Sequence, residues 1–157
     1  MSDDTQLTDQ QIAEFRKKIV TEARMFLSLG VKYQWGAEWF DLTKYPELCD
    51  CSEMLEGIVK KVGLKYPDLA QNQYNFTIGT VYPQDGDFGF FAEEKNITKV
   101  YHSGIYTVDG VIEMRKFDPK AKFPTGKCII RPIEKWEKFE KFVGWRVHPK
   151  LVQIKAV

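Results

Sequence analysis

Apolar residues recur every three or four positions in the first part of the chain, a spacing typical of amphipathic helices. A capping-box sequence, Thr8–Gln11, precedes the first such stretch, and Gly30 follows it. A capping box begins a helix and a glycine commonly ends one, so we expect a helix over about residues 9–29. Residues 31–49 are rich in aromatic side chains and are predicted to form a loop.

A second helical stretch follows that loop. Asp50 can cap it, Glu53 occupies the reciprocal position of the cap, and Gly63 marks its end. A short turn of helix is also predicted near residues 67–74.

From about residue 77 the pattern changes to β-branched and aromatic residues, which favour strands. Asp109-Gly110 is a strong signal for a two-residue hairpin turn. Pro132 can begin a last helix that runs to about Lys141. Helices followed by an antiparallel sheet predict an α+β fold, in a single domain over residues 1–157. The expected strands are 78–81, 87–92, 99–108, 111–117, 127–131 and 143–147.

The chain has 157 residues, of which 43% are hydrophobic and 29% charged, and this composition is that of one globular domain. The net charge of +1 gives no argument for nucleic-acid binding. The charge is uneven, however, since residues 1–115 carry 12 Lys or Arg against 18 Asp or Glu, and residues 116–157 carry 11 against 4. The basic segment is either a solvated lysine-rich face or a surface for an anionic partner.

Three cysteines are an odd number, so a disulfide framework is not expected. Residues 1–11 are polar and acidic, unlike a signal peptide, and no run of 18 apolar residues occurs. We therefore expect synthesis in the cytoplasm without a signal peptide, and no membrane association.

One cysteine lies at a position that favours a nucleophilic thiolate. Cys51 directly follows the predicted cap Asp50, and a helix N-terminus stabilises a thiolate. The alternative is a small buried apolar residue. The chain has two histidines, His102 in a predicted strand and His148 near the C-terminus. Glu113 lies across the hairpin turn from His102, where it could orient an imidazole that serves Cys51 as base.

Five sequence motifs together resemble one known family. They are Tyr33-Gln34-Trp35-Gly36, Asp50-Cys51-Ser52, Gln73, Gly86–Phe91 and His102–Tyr106. In this order they are similar to the NlpC-type cell-wall cysteine peptidases, which have a papain-like fold. The resemblance covers residues 12–117. It implies a core of about residues 9–117 and leaves residues 118–157 as a basic extension.

The resemblance implies a role for each matching residue. Cys51 would be the nucleophile, His102 the base and Glu113 the third catalytic residue. Tyr33 would help to place the substrate or its oxyanion. The amides of Cys51 and Ser52 at the helix start are suited to bind that oxyanion. No metal ion or cofactor is implied.

The resemblance also implies a substrate, the stem peptide of peptidoglycan cut between D-glutamate and a diamino acid. Residues 142–146 are similar to the ending of phage-associated members, which makes phage tail proteins candidate partners and a virion a candidate delivery route to the cell wall. Glu53 and Ala37 stand where the family has glycine, and Cys49 is either a passive loop residue or a redox-active thiol. Three other functions stay open: acyl transfer or amidase chemistry on another substrate, a virion assembly role, and zinc binding by the cysteines and histidines.

Overall fold

The computed structural model describes residues 5–117 and 126–153. Helix α1, Asp9–Leu29, has the predicted boundaries. Thr8 Oγ1 accepts a hydrogen bond from the Gln11 amide at 3.1 Å, and the Gln11 side chain accepts one from the Thr8 amide at 2.9 Å. Gly30 ends the helix in the left-handed conformation, with φ 62°. The capping box and the terminal glycine therefore fix both ends of α1, as the sequence predicts.

The remaining helices are α2, Cys51–Lys61, α3, Ala70–Phe76, and α4, Ile133–Glu137. Asp50 caps α2 as predicted, but Glu53 does not complete a reciprocal cap. Its carboxylate instead accepts a hydrogen bond from the Trp39 amide at 3.1 Å, because the aromatic loop folds back over the first turn of α2. Helix α4 ends short of Lys141, since the chain turns there into the last strand. Within the described ranges, no helix has the length and apolarity needed to span a bilayer.

Eight strands form a single sheet in the order β2-β1-β7-β6-β5-β4-β8-β3. Neighbouring strands are antiparallel except for β1 and β2. The predicted α+β architecture is thus confirmed. The strands are β1 Lys32–Tyr33, β2 Leu48–Cys49, β3 Ile78–Thr80, β4 Phe88–Ala92, β5 Val100–Thr107, β6 Gly110–Lys116, β7 Gly126–Arg131 and β8 Phe142–Val147.

Two local differences from the sequence prediction affect the sheet. Strands β1 and β2 lie inside the segment that we predict as loop, because two residues are too few to show alternation. The hairpin between β5 and β6 turns at residues 108–109, one position before the predicted Asp109-Gly110. Gly110 instead opens β6 opposite Thr107, with φ 146°.

The two faces of the sheet carry different packing. Helices α1 and α2 bury apolar side chains such as Phe26 and Ile58 against one face, where Phe90 of β4 joins the same core. Helix α4 covers the other face, where Trp136 packs with Phe91. Strand β7 lies between β1 and β6, and β8 between β4 and β3, so the described part of the basic C-terminal segment is integral to this sheet.

Candidate active site

Cys51 is the first residue of α2, and the cap fixes its position. Asp50 Oδ1 accepts a hydrogen bond from the Glu53 amide at 2.8 Å, and Oδ2 accepts one from the Gly36 amide at 3.2 Å. Within the described part of the chain, this cap leaves the amides of Cys51 and Ser52 without a hydrogen-bond partner. Two free N–H groups at a helix start form a site for a developing oxyanion beside the thiol.

His102 faces Cys51 from strand β5, next to an irregularity in the sheet. Phe91 pairs with His102 and Ala92 with Val100, so Tyr101 is left over as a bulge. The Tyr101 carbonyl oxygen lies 3.8 Å from the Cys51 sulfur. A bulge commonly re-aims side chains beside an active site, and here it lies where β5 meets the start of α2.

The His102 ring has a partner on each side. Its Nε2 lies 3.0 Å from Glu113 Oε1, which leaves Nδ1 available to interact with the Cys51 thiol. Burial acts to lower the pKa of His102, but the hydrogen bonds to Cys51 and Glu113 outweigh it and raise the pKa to about 9. The raised pKa favours the doubly protonated imidazolium form of His102 at neutral pH.

Glu113 is fully buried and accepts four hydrogen bonds. Besides the contact with His102, its carboxylate accepts hydrogen bonds from Nε and Nη2 of Arg131, each at 2.6 Å, and from Nε1 of Trp136 at 2.7 Å. Burial acts to raise the pKa of Glu113, but the hydrogen bonds and charges of His102 and Arg131 lower it overall. Glu113 thus stays ionised and holds the imidazole in one orientation.

Arg131 and Trp136 are site residues that our sequence analysis does not identify. Strand β7 pairs with β6 so that Ile129 lies opposite Glu113, and Arg131 follows two residues later on the same face. The one local signal is a charged residue that directly follows the apolar run Cys128–Ile130 in β7. Arg131 can be assigned to the site only when the pairing of β6 with β7 is known.

Tyr33 and Ser52 also lie beside Cys51. Burial, followed by the charges of Cys51 and Asp50, raises the pKa of Tyr33, so the phenol stays neutral close to the thiol. The Ser52 hydroxyl donates to Asp50 Oδ1 at 3.3 Å, and its carbonyl accepts from Gln73 Nε2 at 2.8 Å. The Ser52 side chain therefore supports the cap, and only its amide is free to bind substrate.

The other histidine and the other two cysteines lie outside this constellation. His148 is buried, with Nε2 2.7 Å from the Lys65 carbonyl oxygen and Nδ1 accepting from the Lys150 amide. Cys49 and Cys128 are buried free thiols. Burial raises the pKa of both, that of Cys128 to about 12. Cys51 is the cysteine with a histidine partner.

A scan of protein-family models matches residues 30–119 to the NlpC/P60 family. The chain belongs to the NlpC/P60 family. This confirms the resemblance seen in the sequence motifs. A search of curated proteins finds no match.

Solved structures of this family share the fold. An NlpC/P60 protein from Bacillus cereus is 24% identical, with a TM-score of 0.66 over 85% of this chain and 40% of its own. An NLP/P60 protein similar to lipoprotein, from Staphylococcus aureus, is also 24% identical, with a TM-score of 0.59 over 94% of this chain and 44% of its own. The chain therefore spans less than half of each of these two NlpC/P60 proteins.

Two further similarities concern proteins described by their activity or their variants. The peptidoglycan hydrolase RipB from Mycobacterium tuberculosis is 18% identical, with a TM-score of 0.63 over 89% of this chain and 67% of its own. The protein RipA, which interacts with resuscitation promoting factor, has been solved with mutations at a cysteine, at a histidine and at a glutamate. The glutamate variant has a TM-score of 0.67 at 18% identity, over 94% of this chain and 67% of its own.

Proposed function

We propose that this chain is a cysteine peptidase that hydrolyses an amide bond of peptidoglycan stem peptides. The observation that carries the proposal is that His102 interacts with the Cys51 thiol and, through Nε2 at 3.0 Å, with the buried Glu113 carboxylate. The solved relatives support the substrate class, since they include RipB and the NlpC/p60 domain of SagA, both described as peptidoglycan hydrolases.

The first half of the reaction follows from the site geometry. With the thiol proton held on His102, the Cys51 thiolate attacks the amide carbonyl carbon. The amides of Cys51 and Ser52 bind the oxyanion that develops on the carbonyl oxygen. The imidazolium then gives its proton to the amide nitrogen as the carbon–nitrogen bond breaks, which releases the amine and leaves an acyl thioester on Cys51.

The second half returns the enzyme to its starting state. Neutral His102 takes a proton from a water molecule, and the resulting hydroxide attacks the thioester carbonyl. The carbon–sulfur bond breaks, and the carboxylic acid product leaves. Glu113 keeps the ring orientation through both proton transfers because its lone pairs are held by Arg131 and Trp136 as well.

Mass spectrometry of treated peptidoglycan digests tests the proposal. The protein is incubated with the digests in water enriched in ¹⁸O, beside the variant Cys51→Ala. Wild type is expected to release stem-peptide fragments in which each new carboxylate carries one ¹⁸O atom, and we expect the new ends at D-glutamate. Cys51→Ala is expected to release none, because the nucleophile is absent.

Cys49→Ala is the matched control, because it removes a buried thiol two residues away that has no histidine partner. It is expected to cleave like wild type. Absence of cleavage by folded, reduced wild-type protein would contradict the peptidase proposal. Products joined to a second amine, without ¹⁸O, would indicate acyl transfer instead. The route by which the chain would reach peptidoglycan, including carriage in a phage particle, stays a prediction.

A further inference from the structure

Glu113 is paired with a second cation besides His102. Arg131 reaches it from strand β7 with two hydrogen bonds of 2.6 Å. We propose that Arg131 is a positioning residue that neutralises Glu113 and thereby limits how tightly this carboxylate holds the His102 imidazolium. The inference rests on the proposed function, since it assigns a role within the same site.

The hydrogen bonds fill the carboxylate completely. Oε1 accepts from His102 Nε2 and Arg131 Nη2, while Oε2 accepts from Arg131 Nε and Trp136 Nε1. A carboxylate has about four lone-pair positions, so none is left for water or substrate. The arginine occupies half of them in a two-point contact, which also fixes the carboxylate plane that His102 meets.

Aromatic rings enclose both cations. The Phe91 and Trp136 rings lie 5.3 and 5.6 Å from the His102 ring, and 5.8 and 5.7 Å from the Arg131 guanidinium carbon. Gly104 admits Trp136 to this position, since a β-carbon there would lie 2.8 Å from the indole. These rings and the full burial of Glu113 limit water access to the pair, although 23% of the Arg131 side chain is exposed, and charges interact more strongly where water is limited.

Arg131 changes the charge balance of the cluster. With Arg131 in place, Glu113 and Arg131 together carry no net charge, so less negative charge acts on the His102 imidazolium. Without Arg131, the full carboxylate charge would act on the imidazolium. His102 would then be a weaker acid toward the leaving amine, because its proton would be held by an unshared carboxylate.

Other titratable groups around the cluster are few. The Cys128 thiol on β7 feels the charge of Glu113, and its pKa is raised mainly by burial. The Tyr101 phenol feels Arg131 together with Lys141 and Glu93, and burial is the main cause of its raised pKa. Both groups are neutral at neutral pH, so they add no charge to the contacts among His102, Glu113 and Arg131.

The test is a ¹⁵N NMR titration of the two histidines in the full chain. His148 serves as internal reference, because its partners are the Lys65 carbonyl and the Lys150 amide, away from Glu113. Arg131→Gln removes the charge and keeps a donor, and Arg131→Lys keeps the charge and loses the two-point contact. Arg131→Gln is expected to raise the His102 midpoint by about one pH unit, as expected for unmasking a neighbouring charge, while Arg131→Lys stays close to wild type.

A second pair of variants removes the buried carboxylate. Glu113→Gln is expected to lower the His102 midpoint, and Glu113→Gln with Arg131→Gln to bring it back up toward wild type, because the local net charge is restored. If Arg131→Gln alone does not fold, this comparison still tests the effect of Arg131 on the His102 midpoint, since the double variant contains no unpaired buried charge.

A His102 midpoint that stays fixed or falls in folded Arg131→Gln, while His148 is unchanged, would overturn the proposal. A midpoint that does not rise from Glu113→Gln to the double variant would overturn it as well. Both readouts are independent of any substrate. A failed digest experiment with a rising His102 midpoint would therefore reject the peptidase proposal and leave the electrostatic role of Arg131 standing.

Discussion

Glu53 is a carboxylate in the first turn of α2 whose ionisation opposes folding. Burial is the main cause that raises its pKa, to about 7, and a hydrogen bond with Glu56 adds to it, while the Trp39 amide acts in the opposite direction. For an acid whose pKa is raised in the folded state, the contribution to stability is present below its usual pKa of about 4.5 and is lost as pH rises through 7.

Glu53→Gln keeps an acceptor for the Trp39 amide and cannot ionise. We expect this variant to exceed wild type in free energy of unfolding at about pH 8, with the difference shrinking toward about pH 5, as linkage requires. Urea denaturation at the two pH values measures the difference in free energy of unfolding between the variant and wild type. Glu38→Gln, in the neighbouring loop, is the matched control. Equal or lower stability of Glu53→Gln at the higher pH would show that ionisation of Glu53 does not oppose folding.

At the scale of elements, the segment before β2 is fastened to α2 by one tryptophan. The Trp39 indole Nε1 donates to the carbonyls of Asp41 and Lys44 at 2.9 and 2.7 Å, and its amide donates to Glu53. The ring lies directly on Gly57, where any β-carbon would overlap it. Gly57 therefore weakens α2 as a helix but admits the contact that holds the segment.

A double-mutant cycle separates these two effects. Gly57→Ala alone is expected to lower the free energy of unfolding, because the displaced Trp39 ring costs more than the helix gains. In a Trp39→Ala background the same change is expected to be stabilising by up to about 1 kcal/mol, the difference in helix propensity. Urea denaturation of the four proteins gives the sign in each background. Stabilisation by Gly57→Ala in both backgrounds would show that Trp39 does not need the space.

What the sequence predicts well are the elements with local signals. Helices α1 and α2 combine a periodic apolar face with a cap, and β5 and β6 combine β-branched and aromatic residues with a turn signal. The cysteine, histidine and glutamate of the site are predictable because each lies beside such a signal. Arg131 and Trp136 are not predictable in this way, since their contacts with Glu113 depend on how β7 and α4 pack against β6. The predicted turn is wrong by one position because Gly110, although it is a turn residue by type, begins the strand.

At the scale of the whole molecule, a buried ion pair joins distant parts of the chain. Arg16 on α1 donates to Asp87 Oδ1 at 2.6 Å, to the Asp85 carbonyl at 3.0 Å and to the Leu151 carbonyl at 3.2 Å. Both partners are buried, and Asp87 also accepts from the Gln84 amide. The contacts connect the first helix, the turn before β4 and the last described helical turn.

Arg16→Met is expected to lower the free energy of unfolding by about 3 kcal/mol, because it leaves the Asp87 carboxylate buried without its counter-ion. Arg16→Met with Asp87→Asn is expected to lose less than the single variant, since no uncompensated charge remains and the new side-chain amide can still accept from Gln84. Chemical denaturation of the two variants gives the comparison. If the double variant were the less stable one, the cost would lie in lost hydrogen bonds rather than in an unpaired charge.

The segment matched to the family ends at residue 119, yet Arg131 and Trp136 complete the hydrogen bonds of Glu113 from beyond that point. Strand β7 also fills the place between β1 and β6. A fragment cut at the matched boundary, or a chimera that exchanges only that segment, would carry the cysteine, histidine and glutamate but expose an open sheet and a half-solvated carboxylate. Anyone who transplants this site must therefore take the last two strands with it.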